Sequence, residues 1–320
     1  MNSAAGPHYG CPMRLGVLDV GSNTVNLLVV DAHRGAPPVP QSSHKTVLRL
    51  MRYLEPSGAI SPEGVHAVVE AVGTAAKQAG DAGIDEMLAF ATSALREAPN
   101  GPAVLALVAD ETGVRLQVLT GEDEARITFL AVRRWYGWSA GDVLLFDIGG
   151  GSLEIAAGGS ENPQVAVSLP LGAGRTTIGF LPDDPPTAKE TAALREHAAR
   201  LLATTVPLFA DCPKPAHVVG SSKTVRSLAR LAGSLADGVG PHDRLLLRRS
   251  GLDDWVPRLA KIPADSRPAL PGITVDRTFQ IVAGGIVLSE TMRAFKVSEL
   301  EVSPWALREG LILLYLDRLG

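Results

Sequence analysis

Cysteine is nearly absent from this 320-residue chain: it has only Cys11 and Cys212, in neither CxxC nor zinc-ligand spacing. One lies in the first dozen residues, so the pattern argues against a disulfide and fits a reducing, cytoplasmic setting. Aromatic residues are scarce at 5%, which argues against a nucleic-acid reader built on stacked bases. There is no excess of positive charge: 30 Lys and Arg face 34 Asp and Glu, for a formal net charge of -4. A general nucleic-acid binder is usually basic, so an anionic ligand here needs a local cluster of Arg and Lys. No apolar run approaches the roughly 20 residues of a membrane span. Residues 1–13, with Gly6-Pro7 and Cys11-Pro12, lack the apolar centre of a signal peptide and read as a loose N-terminal extension. The seven histidines show no metal-ligand spacing, and His44, His66 and His197 read as surface or packing residues. Neither a Gly-x-Ser-x-Gly elbow nor a Cys–His pairing points to acyl chemistry.

What is present is a globular composition, 46% hydrophobic and 20% charged, in a chain long enough for two domains with separate cores. Strand-like runs alternate with helix signals, which predicts the α/β class. Ser61-Pro62 caps a helix, Thr187-Ala-Lys-Glu190 is a capping box, and Thr120-Gly-Glu-Asp-Glu124-Ala-Arg126 opens a helix running to about Tyr136. Further helices are predicted over Pro102–Thr112, Asp276–Phe295 and Pro304–Leu319, and Gly284-Gly285 suggests close packing inside the second of these. Strands are predicted at Lys45–Leu50 after a Pro-rich loop over Gly35–Pro40, at Met87–Thr92, at the alternating Val114, Leu116 and Val118, at Gln164–Leu171, at His217–Gly220 and at Leu300–Ser303. Arg244–Leu270, charged and broken by prolines, gives no clear pattern.

The chain is organised around Val143–Ala157. An apolar strand ends in Asp147, a turn of Gly149, Gly150 and Gly151 leads to Ser152, and a second strand carries Glu154. Consecutive glycines let backbone N–H groups turn toward an anion, and flanking carboxylates are the oxygen ligands a phosphate-neutralising cation needs. Leu15–Val30 repeats the grammar: apolar strand, Asp19, Gly21, then Ser22 and Asn23, then a second apolar strand. Two such units suggest related half-molecules facing each other across a phosphate-binding cleft. The acidic cluster at Glu122, Asp123 and Glu124 opens a helix just after a strand, where α/β proteins place working residues, although acids there also complement the helix dipole. Ser221-Ser-Lys-Thr resembles the end of a P-loop but lacks the first glycine and its spacing, so a P-loop is rejected.

With Asp19-Val-Gly-Ser-Asn23, Ala91-Thr-Ser-Ala-Leu-Arg96-Glu-Ala-Pro-Asn100, Thr120–Arg126, Asp147–Glu154, Leu169-Pro-Leu-Gly-Ala-Gly-Arg175, Gly220-Ser-Ser-Lys-Thr224 and Ser303-Pro-Trp-Ala-Leu-Arg308-Glu-Gly310 in that order, the chain resembles the exopolyphosphatase/guanosine pentaphosphate phosphatase (Ppx/GppA) family of the actin-like ATPase superfamily, in its short form. The resemblance implies two actin-like (ribonuclease H-like) domains facing across an interdomain cleft. They would span 14–135 and 136–303, with a final helix over 304–320 packing back on the first. It implies Glu124 as the base that takes a proton from the attacking water, Arg96 as a clamp on the terminal phosphate, and Asp147 and Glu154 as further catalytic carboxylates. Asp147, Glu154 and Asp19 would serve a Mg²⁺ ion, with Mn²⁺ as a substitute. Ser22, Asn23, Gly149, Gly150, Gly151 and Ser152 would bind phosphate, joined by Arg175 and Lys223, while Arg226 and Arg308 could add positive charge. Inorganic polyphosphate is the implied substrate. Guanosine pentaphosphate and adenine nucleotides remain alternatives, nucleic acid and membrane are not expected partners, and a homodimer is the implied assembly.

Three positions depart from the family pattern: Lys223 stands where many members have glycine, Arg277-Thr-Phe279 lacks the acidic residue expected two after the arginine, and Leu50-Met-Arg-Tyr53 replaces a glycine-containing segment. Two other classes remain readable from the twin Asp-x-Gly units: an actin-like nucleotide-binding module, which would need a partner or polymer interface, and a sugar kinase, which would need its catalytic Asp in the second half.

Overall fold

The structure, a computed structural model, describes residues 13–33, 35–236 and 244–319. The loose extension expected over 1–13 falls outside these up to residue 12, and Met13 already begins a strand.

In the first half β1 (Met13–Val20) and β2 (Thr24–Ala32) are almost wholly buried, as their continuous apolar runs require, and β3 (Val39–Val47) is a polar, exposed edge. This strand starts within the stretch expected to be a loop and ends before Leu50, where a short 3-10 turn over Leu50–Tyr53 takes over. An edge strand tolerates Pro40 and needs no buried face, so it carries no hydrophobic periodicity to read. The chain continues through α1 (Pro62–Asp81), β4 (Glu86–Ala91), α2 (Ser93–Glu97), α3 (Gly101–Thr112), β5 (Gln117–Val118) and α4 (Gly121–Tyr136). Ser61 and Thr120 cap α1 and α4 by accepting from Gly64 N and Asp123 N.

The second half runs through β6 (Val143–Ile148), β7 (Leu153–Gly158), β8 (Val165–Leu169), α5 (Ala173–Phe180), α6 (Ala188–Thr205), β9 (His217–Ser221), α7 (Ser222–Ala232), β10 (Ser234–Ala236), β11 (Arg244–Arg248), α8 (Arg249–Leu259), α9 (Ile281–Ala294), β12 (Glu299–Val302) and α10 (Leu307–Arg318). The segment that gave no sequence pattern, 244–270, thus supplies β11 and α8, the latter with Pro257 inside it. The helix expected from Asp276 begins at Ile281, because Asp276 to Gln280 form turns.

The two sheets have orders β3-β2-β1-β4-β5 and β10-β11-β12-β9-β6-β7-β8. Read from the first strand of each half, they follow one path. Three antiparallel strands form a meander (β1-β2-β3 and β6-β7-β8), then two strands add in parallel on the other side (β4-β5 and β9-β12). The twin sequence units are therefore the first hairpins of two equivalent sheets.

Each sheet has its own apolar core, around Val68, Val72 and Leu95 in the first half and around Phe146, Ile286 and Leu228 in the second. Gly284 and Gly285 do allow close packing: a Cβ would stand 2.5 Å from Thr224 on α7 and 2.8 Å from Val256 on α8 respectively. The last helix, α10, buries Leu311, Ile312 and Leu316 with Leu15 and Val17 of β1. Helix α4 belongs to both halves: Phe129 and Val132 pack with Val143, Leu145 and Val219 of the second sheet, while Ile127 joins the cluster of β1 and α10. Among the described residues no helix is long and apolar enough to cross a membrane.

Candidate active site

The two hairpin turns carry the same hydrogen bond. Gly21 N donates to Thr24 O at 3.0 Å, and Gly149 N donates to Ser152 O at 2.9 Å, each two residues after its aspartate. The turns meet face to face: Gly150 lies under Ser22 and Asn23, and a Cβ on Gly151 would fall 2.2 Å from Ser93 Oγ. Glycine is needed there because the loop is sandwiched between Ser93 at the start of α2 and Gly172 before α5. Ala173 N and Arg175 N donate to the carbonyls of Gly149 and Gly150, both at 2.9 Å. With those acceptors engaged, the turn's remaining hydrogen-bonding capacity lies in its donors, which suits an anion. Ser22, Asn23 and Ser152 are buried beside them, and Ser22 Oγ is 2.9 Å from Ser93 Oγ.

Four carboxylates gather at this junction. Asp147 and Glu154 are directly opposite each other on β6 and β7. Ser221 Oγ donates to Asp147 Oδ2 at 2.6 Å, and Ser168 Oγ donates to Glu154 Oε1 at 2.8 Å. At the N-terminus of α4, Glu124 Oε2 accepts from Arg96 Nη1 at 3.3 Å, and the same nitrogen donates to Leu119 O at 2.9 Å. Burial is the main force on all four acids and favours their neutral forms. It raises Glu124 to about 8, with Arg96 pulling down and Asp147 and Asp19 pushing up. Asp147 is raised to about 6, against the Ser221 hydrogen bond and with help from Asp19. Glu154 is driven well up by desolvation and by the charges of Glu124 and Asp147. Asp19 is raised by desolvation, with Arg308 drawing it down. The structure thus brings Asp19, Glu124, Asp147 and Glu154 into electrostatic contact with too little positive charge among them.

That deficit is the observation against which a cation is tested. No three His, Cys, Asp or Glu side chains among the described residues form a ready-made metal cage. A hard dication of the Mg²⁺ type does not need one, since it keeps several waters and takes one or two carboxylates together with substrate phosphate. Two acceptor-only groups opposite each other on adjacent strands, beside a phosphate-type turn, fit that requirement.

The other expected residues are placed differently. Arg175 Nε donates to Gly151 O at 2.7 Å and its guanidinium is also bound by Glu97 of α2, so it ties the glycine turn to the first half. Lys223 lies 3.2 Å from Asp276, which Lys45 of β3 also grips. The residue of this turn in the left-handed region is Ser222 (φ 82), not Lys223, so the lysine is accommodated without backbone strain. Arg226 Nη2 reaches the carbonyls of Ser303 and Pro304, each at 3.4 Å.

Sequence reasoning missed Arg277 and Gln280. Both are buried, at 9% and 1% exposure. Gln280 Nε2, Asn23 Nδ2 and Arg49 Nε are buried donors without an acceptor, and Arg277 Nε has only the Asp276 carboxylate, 3.5 Å away. Asn23, Arg49 and Gln280 line one small cavity together with Ser22 and Gly150. Buried donors normally find partners, so this convergence marks a place for an anion. The signal was hidden because residues 276–280 were read as a helix's first turn.

These features can be set beside known proteins. The Ppx/GppA phosphatase family model matches residues 28–319. The chain belongs to this family. It is 51% identical over 305 residues to "Exopolyphosphatase 1" of Mycobacterium tuberculosis, covering 95% of this chain and 89% of that protein. Among solved structures, a Ppx/GppA family member from Aquifex aeolicus aligns with a TM-score of 0.77 at 25% identity over 97% of this chain and 99% of that one. An exopolyphosphatase from Cytophaga hutchinsonii aligns at 0.84 with 22% identity, over 95% and 98%. The fold of this family member is accordingly the two-domain actin-like α/β architecture, which matches the repeated sheet path described above.

Proposed function

We propose that this protein is an exopolyphosphatase, a hydrolase that removes the terminal phosphate of inorganic polyphosphate. The observation that carries the reading is the Glu124–Arg96 pair, which closes a buried carboxylate cluster at the meeting point of two phosphate-type turns. The named activity of the mycobacterial relative supports it. The terminal phosphate would sit between the turns, its oxygens met by the amides of Gly149–Ser152 and by Ser22 and Asn23. Arg96 would hold it with a planar, permanently charged fork. Glu124, the raised and therefore more basic carboxylate, would orient the attacking water and accept its proton, and Arg96 beside it keeps part of the population ionised. Asp147 and Glu154, with Asp19 behind them, would hold Mg²⁺, or Mn²⁺ in its place, and such an ion neutralises phosphoryl oxygens when bound.

Guanosine pentaphosphate presents the same kind of terminal phosphoanhydride. Phe279 shares the small cavity beside the turns, and one of its faces lies under the Arg52 guanidinium at 4.1 Å rather than open to a base, which favours polyphosphate. The test is phosphate release with Mg²⁺ from short polyphosphate, long polyphosphate, guanosine pentaphosphate and ATP, side by side. Release from polyphosphate well above the other two classes is expected. Release chiefly from guanosine pentaphosphate would overturn the assignment, and release from none would return the protein to the nucleotide-binding class.

A further inference from the structure

The cations around the cleft differ in what already neutralises them. Lys45 and Lys223 share Asp276, which also accepts from Thr274 Oγ1 at 2.6 Å. Arg175 holds Glu97, and Arg96 holds Glu124. Arg49 and Arg52 have no carboxylate partner among the described residues. Arg49 Nε is a buried donor with no acceptor, and Arg52 rests on the Phe279 ring. Burial lowers the pKa of Arg52, and the neighbouring Arg49 adds to that shift.

These two arginines stand between two spaces. On one side is the small cavity with Ser22, Asn23 and Gly150, beside the turns that would take the terminal phosphate. On the other is a cavity of about 620 Å³ between the halves, lined by Phe279 and also by Asp183, Asp184 and Asp265. Asp184 is occupied by Arg267. Arg52 and Phe279 meet here. A phenyl ring at 279 gives Arg52 a cation–π support that leaves its N–H donors available and its charge uncancelled.

We infer that Arg49 and Arg52, supported by Phe279, form a second anion subsite that takes the phosphates next in line behind the terminal one and leads the chain into this cavity. The inference deepens the exopolyphosphatase reading and rests on it for the identity of the chain, though anion binding at the subsite can be read separately. A run of phosphates matches the site because each unit carries charge for an unpaired guanidinium, and an anion between Arg49 and Arg52 would relieve their mutual repulsion.

The experiment measures tripolyphosphate and orthophosphate binding by calorimetry, and polyphosphate hydrolysis, for the full chain and for Arg52→Ala and Phe279→Glu. Phe279→Glu keeps the arginine but gives it a carboxylate partner. Both variants should bind tripolyphosphate roughly tenfold more weakly, the scale of losing a hydrogen bond to a charged group. Both should hold orthophosphate as the unaltered protein does, and raise KM for polyphosphate more than they lower kcat. Unchanged tripolyphosphate affinity, or an equal loss for orthophosphate, would overturn the subsite. If the unaltered protein releases nothing from polyphosphate yet binds tripolyphosphate in an Arg52-dependent way, the hydrolytic reading falls and the subsite stands.

Discussion

Glu124 sits in an environment at odds with an ordinary glutamate. Desolvation dominates over Arg96 and raises its carboxyl to about 8. Because a base works only when ionised, the hydrolysis rate should fall on the acid side of the profile, and Arg96→Ala should move that limb to higher pH by removing the charge that pulls the value down. Glu124→Gln should leave substrate affinity near normal and lower kcat by roughly 10²–10⁴-fold, the range for a positioned base; unchanged kcat would remove Glu124 from that role. The same shift bears on stability. A carboxyl raised in the folded protein stabilises fully below its unfolded value, near 4.5, and that contribution is lost as pH rises through about 8. Thermal melts of the metal-free protein should therefore drop between pH 5 and pH 8, more steeply than in Glu124→Gln. Added Mg²⁺ should recover more at pH 8 than at pH 5, because it binds the ionised acids.

At the scale of elements, the turn between β6 and β7 couples the halves. A methyl group at Gly151 would collide with Ser93 Oγ, so Gly151→Ala should push the turn from α2, destabilise by about 1–3 kcal/mol as overpacking does, and lower activity further than that loss explains. Thr187→Ala is the contrast: it breaks the capping box of α6, in which Glu190 Oε2 accepts from Thr187 N, far from the turns. It should lower the melting temperature by an amount equivalent to about 1 kcal/mol with the specific activity kept. Elements of this kind were legible because they are local. The Gly149–Ser152 turn, the Ser61 and Thr187 caps and the buried hairpins are written in spacing and residue type. What was hidden depends on partners distant in sequence. Strand β3 is polar on an edge and has no core face to betray it. The 244–270 region orders itself against β12 and α9 rather than by its own pattern. Gln280 looks like helix surface until Ser22, Asn23 and Gly150 are brought into one cavity with it. The ion-pair partners of Arg175 and Lys223 were equally unreadable, since Glu97 lies 78 residues from Arg175 and Asp276 lies 53 from Lys223.

For the whole molecule, the link across the cleft is electrostatic. Lys45 of the first sheet grips Asp276 of the second half, and Arg49 Nη2 reaches Val275 O at 3.5 Å. Burial alone would raise the Asp276 carboxyl, but hydrogen bonds from Lys45, Thr274 and Lys223 outweigh it and hold it well below the usual carboxylate range. A depressed carboxyl keeps its stabilising contribution above its unfolded value and loses it only as pH falls through the folded one, so this latch stays charged throughout mild acid. Salt and polyanions should loosen it where pH 5–8 does not. Asp276→Asn should expand the molecule in small-angle scattering at low salt and remove most of the salt response; equal compactness and equal salt response in the two proteins would rule the latch out.

If the Lys45–Asp276 contact is released, the crossing of α4 and α10 would be the fulcrum. A Cβ on Gly310 would lie 2.2 Å from the carbonyl oxygen of Ile127, so the two helices touch backbone to backbone. They occupy matching places, each following the fifth strand of its sheet path. At the start of α10 the acid is Glu309, which accepts from Ala306 N at 2.8 Å and closes its own helix end, whereas at the start of α4 it is Glu124. In a hinged tool the point beside the pin travels least and the tip travels farthest. Glu124 lies three residues before Ile127 on α4, so if the halves turned about this contact Glu124 would travel little while points farther from it moved more.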